Sequence, residues 1–135
     1  MSSELLGGLK INHIGIIIDP NMKEVIEKEL GECFIEDKVQ GVSVCFVWDA
    51  CMKVFKEYIT REGRAKNYNI GFSHICYDVE SHEAMNILHK EIISKRAGVR
   101  LSLPETSPTK NCNIVTFYNI FGVGLVEYNI VNDYD

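Results

Sequence analysis

Three things are missing from this 135-residue chain: paired cysteines, an excess of positive charge, and a long hydrophobic run. Its cysteines, Cys33, Cys45, Cys51, Cys76 and Cys112, form no CxxC pair and have no ligand-type spacing. An odd count without such a pattern reads as reduced thiols buried as small apolar residues, which argues against a disulfide framework or a zinc ribbon. The net charge of -5 argues against a duplex-DNA binder, which needs a basic face to engage phosphates. No apolar stretch approaches the roughly 18 residues that span a bilayer. Residues 1–6 lack the basic region and apolar core of a signal peptide. Neither nucleic acid nor a membrane is therefore an expected partner, and the expected location is cytoplasmic.

What is present is an ordinary globular composition, 46% hydrophobic and 24% charged, which argues against disorder. The length allows one domain, or two small halves sharing one core. Residues 11–18 alternate as a strand, with Ile14, Ile16 and Ile18 on one face and His13 with Gly15 on the other. Asp19-Pro20 then opens a helix, Met22, Val25, Ile26 and Leu30 follow at helical spacing, and Gly31 is placed to end it. Strands are predicted at 33–39, 42–48 and 52–59, with turns at Gln40-Gly41 and Asp49-Ala50-Cys51. A polar stretch at 60–71 separates this half from the next.

The pattern then restarts. Residues 72–79 read as a strand, and Ser81 as a helix cap. Ala84, Leu88 and Ile92, with Ile87, form a stripe on a helix ending near Gly98. Strands at 99–103, 113–118 and 124–130 follow, with a loop at 104–111. Both halves read β-α-β-β-β, as in a diverged tandem duplication. A phrase is duplicated with them. His13-Ile14-Gly15 is echoed by His74-Ile75-Cys76, and Phe55-Lys56-Glu57-Tyr58 by Leu125-Val126-Glu127-Tyr128. Two histidine strands and two glutamate strands in duplicated order can bring four metal-ligand side chains to one axis.

This arrangement resembles the vicinal oxygen chelate superfamily, which includes glyoxalase I, methylmalonyl-CoA epimerase, extradiol dioxygenases and bleomycin-resistance proteins. The resemblance runs through residues 11–130. It is carried by His13-Ile14-Gly15-Ile16, by Ser73-His74-Ile75-Cys76-Tyr77-Asp78-Val79, and by Gly124-Leu125-Val126-Glu127. The second half looks closest to the epimerase and glyoxalase branch. The resemblance implies an α+β fold of tandem βαβββ modules, with two curved mixed sheets around a cleft and helices outside. It gives a single glyoxalase-like domain over 1–135, with module 1 at 11–59, a linker at 60–71 and module 2 at 72–131. Family positions matching His13, His74 and Glu127 hold a metal. The fourth ligand position is contested: a gapless comparison puts Phe55 there, whereas the internal repeat puts Glu57 there. Both share one sheet face.

Two imidazoles with one or two carboxylates suit zinc, nickel, cobalt, manganese or iron; calcium prefers oxygen alone. Such a site suits proton abstraction next to a metal-polarised carbonyl, with Glu127 or Glu57 as the base. The expected function is a small isomerase or lyase of the glyoxalase/epimerase type. Its partner is a small carbonyl compound, with a CoA thioester as one option that Arg61, Arg64 and Lys66 can attract. Two alternatives stay open. One is a metal-free, bleomycin-resistance-like binding protein with Phe55 and Cys76 in the cleft. The other is a non-haem Fe(II) dioxygenase using three ligands. Cys76 is also the candidate for a reactive thiol, since alternation puts it on the His74 face. An aromatic such as Phe55 can stack on a ligand, and Trp48 and Phe46 can share that role, but both read first as core residues; His82 and His89 have no assigned role. Methylmalonyl-CoA epimerases carry a further carboxylate on the third strand of their first module, and Val42-Ser43-Val44-Cys45-Phe46 offers none. A homodimer is expected by analogy with the family.

Overall fold

Period-two alternation and well-placed turn residues account for most of the observed elements. A computed structural model describes residues 9–106 and 114–131. Among them, the strands are β1 (Ile11–Ile18), β2 (Ile35–Asp37), β3 (Val42–Asp49), β4 (Val54–Thr60), β5 (Gly71–Val79), β6 (Gly98–Arg100), β7 (Glu105–Thr106), β8 (Ile114–Ile120) and β9 (Gly124–Ile130). The helices are α1 (Lys23–Leu30) and α2 (His82–Ser94), so the chain is α+β. The order βαβββ occurs twice, the second time with the two-residue β7 added. Cys112 and most of the loop expected at 104–111 lie outside the described residues. No described helix is long and apolar enough to cross a membrane. By contact density the chain divides into two compact units, one of residues 13–74 and one of the remainder.

In the first unit the strands run in the order β2-β3-β4-β1, with β1 parallel to β4 and the other pairs antiparallel. The register sets three rows across one face. Ile17, Ile59 and Val44 form the first, Gly15, Glu57 and Phe46 the second, and His13, Phe55 and Trp48 the third. Ile17 is fully buried with Val42, Val44 and Ala65. The face carrying His13 is thus the more deeply buried one, while Ile14 and Ile16 opposite are half-buried. The reason is local: Ala65, from a 3-10 turn at Gly63–Ala65, joins that cluster.

The punctuation is as expected at several points. Asp19 accepts a hydrogen bond from the Asn21 amide at 2.8 Å, Gly31 ends α1 at φ 69°, and Gly41 turns at φ 71°. Three expectations fail. No residue of α1 is buried, and Met22, Val25 and Leu30 stand exposed. β2 is shorter than predicted, because the Asp37 carboxylate accepts from the Val39 and Gln40 amides and curls the chain out of the strand. β4 starts at Val54 rather than 52. There the Asp49 carboxylate accepts from the Cys51 and Met52 amides, and Lys53 turns the corner at φ 56°.

In the second unit the order is β5-β9-β8-β6, with β7 alongside β8, and β5 is parallel to β9. Ser81 caps α2 by accepting from the Ala84 amide at 3.1 Å. The helix buries Met85, Leu88 and Ile92 against Tyr77, Tyr118, Val126, Tyr128 and Ile130. Met85 fills the place predicted for Ile87, which is exposed. The helix ends through Arg96 at φ 52°, and Gly98 already belongs to β6. One Asp78 carboxylate oxygen accepts from the side-chain amides of Asn12, at 2.9 Å, and Asn129, at 3.1 Å.

His89 on α2 lies with Nδ1 2.6 Å from the buried Tyr118 hydroxyl. Burial, and then the nearby Arg100 guanidinium, hold its pKa below the ordinary imidazole value. The unfolded chain therefore binds this proton first, so acidification through about pH 6.5 favours unfolding. We expect the urea midpoint of the wild type to fall between about pH 7 and 5, and His89→Gln to flatten part of that slope. Parallel pH profiles would count against this account.

Candidate metal centre

Alternation along β1 and β5 points His13 and His74 into the protein, and β4 does the same for Glu57. All three belong to the first unit, and all three are buried. His13 Nε2 lies 3.2 Å from His74 Nε2 and 3.1 Å from Glu57 Oε1, and His74 Nε2 lies 3.8 Å from that same oxygen. A point equidistant from the three atoms stands about 2.0 Å from each, which is the length of a bond from zinc to a histidine nitrogen or a carboxylate oxygen, about 2.0–2.2 Å. Two imidazoles and a carboxylate at that spacing fit a divalent transition metal, and this His/Glu cluster can bind one.

The surroundings orient the donors. Ser73 Oγ lies 3.0 Å from His74 Nδ1, so the ring is held from behind with Nε2 turned to the cluster. The ring of Phe46 stands edge-on to His13 at 5.5 Å. Gly15 gives His74 its room: a Cβ on Gly15 would sit 2.2 Å from His74 Cε1 and 2.4 Å from Nδ1. The sequence reading missed both Gly15 and Ser73 as site residues. A glycine inside a strand, at a histidine's second neighbour, is the signal that marks a close approach.

Glu57 and Phe55, the two contenders for one position, part company. Glu57 is 7% exposed and turns Oε1 to both histidines; Phe55 is 44% exposed and meets the Trp48 ring at 5.1 Å. The two-residue shift suggested by the internal repeat is the one that reaches the histidines. Trp48, expected in the core, is 53% exposed. Glu127 belongs to the second unit, where it is buried on β9 in register with Cys76 of β5. Cys76 is fully buried, as is Cys45, whereas Cys33 and Cys51 are exposed, against the expectation that the thiols are buried. Burial raises the Cys45 thiol pKa, with Glu32 and Glu27 adding to the effect. Arg61, Arg64 and Lys66 are exposed.

Comparison with known proteins agrees at the level of architecture. A solved hypothetical protein from Bacillus halodurans C-125 matches with a TM-score of 0.66 at 20% identity, over 95% of this chain and 98% of that one. The methylmalonyl-CoA epimerase of Mycobacterium tuberculosis matches with a TM-score of 0.64 at 13% identity, over 96% and 91%. The chain has the glyoxalase-like fold of the methylmalonyl-CoA epimerases. A Streptomyces coelicolor epimerase in complex with 2-nitronate-propionyl-CoA shares this glyoxalase-like architecture at a TM-score of 0.59 and 18% identity, over 91% and 98%. No protein-family model matches the sequence, and no curated protein is recognisably similar to it.

Proposed function

We propose that the protein is a metal-dependent isomerase or lyase of the glyoxalase/epimerase type, which removes a proton next to a carbonyl. The observation that carries this reading is the equal reach of His13, His74 and Glu57 to one point about 2.0 Å away. Glu127 is assigned as the fourth ligand. It too is buried and offers a carboxylate oxygen, on a strand paired with β5 two residues from His74. A divalent cation in that setting supplies a Lewis acid for a carbonyl with adjacent oxygens.

The chain's own residues do the rest. His13 and His74 present Nε2 in fixed positions. Glu57 turns Oε1 to both of them, which leaves Oε2 to take the proton from the carbon beside the carbonyl and return it to that carbon or to a neighbouring atom. A carboxylate oxygen of Glu127 is the other candidate for this base. Support for a CoA thioester as the substrate comes from the neighbouring epimerase structures, which hold such compounds. Arg61, Arg64 and Lys66 are exposed and basic, as attraction of its phosphates requires. A homodimer and a cytoplasmic location belong to the same proposal, on the family resemblance.

Protein purified without chelator is expected to carry about one equivalent of a transition metal. It should exchange the α-protons of propionyl-CoA with deuterated water, followed by NMR. Of Glu57→Gln and Glu127→Gln, the variant lacking the base should lose about 10²-fold or more of that exchange. Metal below about a tenth of an equivalent, with no metal-stimulated exchange, defeats the proposal and leaves a metal-free binding protein. A second reading rests on His13, His74 and Glu57 alone, since two histidines and one carboxylate are also the ligand set of Fe(II) oxygenases. It requires iron and oxygen consumption, so anaerobic exchange with a redox-inert metal rules it out.

A further inference from the structure

The row of the sheet that contains His13 ends in two exposed rings. Phe55 stands opposite His13 on the next strand, and Trp48 stands opposite Phe55 on the strand after that. Neighbouring strands lie about 4.8 Å apart, so the rings extend from roughly 5 to 10 Å from the His13 backbone. That they share the face of the donors follows from two observations. Glu57, two residues beyond Phe55, reaches His13, and Phe46, two residues before Trp48, touches the His13 ring. The rings meet edge to face at 5.1 Å and 67° and are about half exposed. The apolar cluster of Ile17, Val42 and Val44 lies at the far end of the same face. Trp48 and Phe55 are therefore not an extension of that core. They form an apolar shelf that starts beside the donors and opens to solvent.

The charge on this face is equally informative. Among the described residues of β1, β3 and β4, the register places no lysine or arginine on it; Lys56 points the other way and pairs with Asp49 at 2.8 Å. A negatively charged substituent on the substrate would find no cation on the described residues of these three strands. A flat apolar one would find two ring surfaces, of the kind that line small-molecule sites.

We propose that Trp48 and Phe55 are the specificity-determining end of the site and receive an uncharged aryl group, or an apolar group of similar breadth, carried by the reacting carbonyl compound. This rests on the assignment of the metal centre above and adds the class of substrate. The shelf begins one strand from His13, so the aryl group is attached close to the carbonyl and not at the end of a long carrier arm.

Trp48 is the single tryptophan of the chain, so its emission reports occupancy of the shelf directly. Zinc-loaded protein is titrated with benzoylformate and with pyruvate, which share a 2-oxo acid head and differ only as phenyl against methyl. Benzoylformate is expected to shift Trp48 emission and to bind at least about tenfold more tightly than pyruvate. Phe55→Ala should bring the two affinities within about twofold of each other, and Trp48→Leu, measured by calorimetry, should do the same. Equal affinities in the wild type, or a preference that survives both substitutions, overturns the proposal while leaving the metal centre intact. Benzoylformate binding that keeps its preference without zinc and in His13→Ala leaves the shelf standing and removes the metal reading. Failure of both compounds to bind zinc-loaded protein overturns the proposal and leaves the metal centre to its own test.

Discussion

Gly15→Ala is expected to empty the metal centre and destabilise the fold in one step. The added methyl would lie 2.2 Å from Cε1 and 2.4 Å from Nδ1 of His74, distances that no real contact tolerates. The His74 ring cannot retreat without breaking its contact with Ser73, and β5 is held by its own pairing with β9. Either the ring swings away from His13 and Glu57 or the strands separate, and overpacking of this kind costs about 1–3 kcal/mol. Metal content and urea unfolding measured on the same sample give both readouts. The cause is isolated by repeating Gly15→Ala in a His74→Ala background, where most of the stability loss should disappear because the colliding atoms are gone. A Gly15→Ala protein with full metal content and unchanged stability would falsify this account of how His74 is seated.

The second large effect is thermal. A metal held by His13, His74 and Glu57 would bind the folded centre and find no preformed site in the unfolded chain, so loading would act as folding energy. At a free metal concentration about a thousandfold above Kd the gain is about 4 kcal/mol. For a chain of this size each kcal/mol moves Tm by about 3–5 °C, so chelator-treated protein should melt about 12–20 °C below the loaded form. His13→Ala and His74→Ala should melt at the same temperature with and without metal. Differential scanning calorimetry of the six samples decides the matter. A metal-dependent shift that persists in both variants would place the binding site elsewhere.

The strands that carry the histidines and Glu127 were legible because their residues alternate and their ends are marked by residues of fixed chemistry. Asp19, Gly31, Gly41 and Ser81 all act where the sequence puts them. Glu57 was harder to place, and the reason is the turn before it. Lys53 takes a left-handed conformation without being glycine, and Asp49 supplies the hydrogen bonds that make this tolerable. No glycine marks the turn before β4, so its alignment to the matching strand of the second half can slide by two. Helical stripes misled in a different way. Spacing shows which residues share a face, but not whether a partner covers it, so the α1 stripe stays exposed and Met85 displaces Ile87 in α2. Trp48 reads first as a core residue, with ligand stacking as the alternative, and the strand register places it in the His13 row, where it is exposed.

Asp78 fixes the alignment of the strands around it. Its single shared oxygen ties β1, β5 and β9 through Asn12 and Asn129, and both Asp78 and Asn129 stand two residues beyond the Cys76–Glu127 pair. A parallel pair such as β5–β9 has no tight turn to fix its alignment, and sliding one strand by a single residue turns every side chain on it to the opposite face. Such a slide would turn Glu127 to the face where Val126 now packs against α2, and Val126 to the opposite face. Asp78 acts as a detent against that slide: a polar contact satisfied in only one frame, which keeps β5 and β9 in phase.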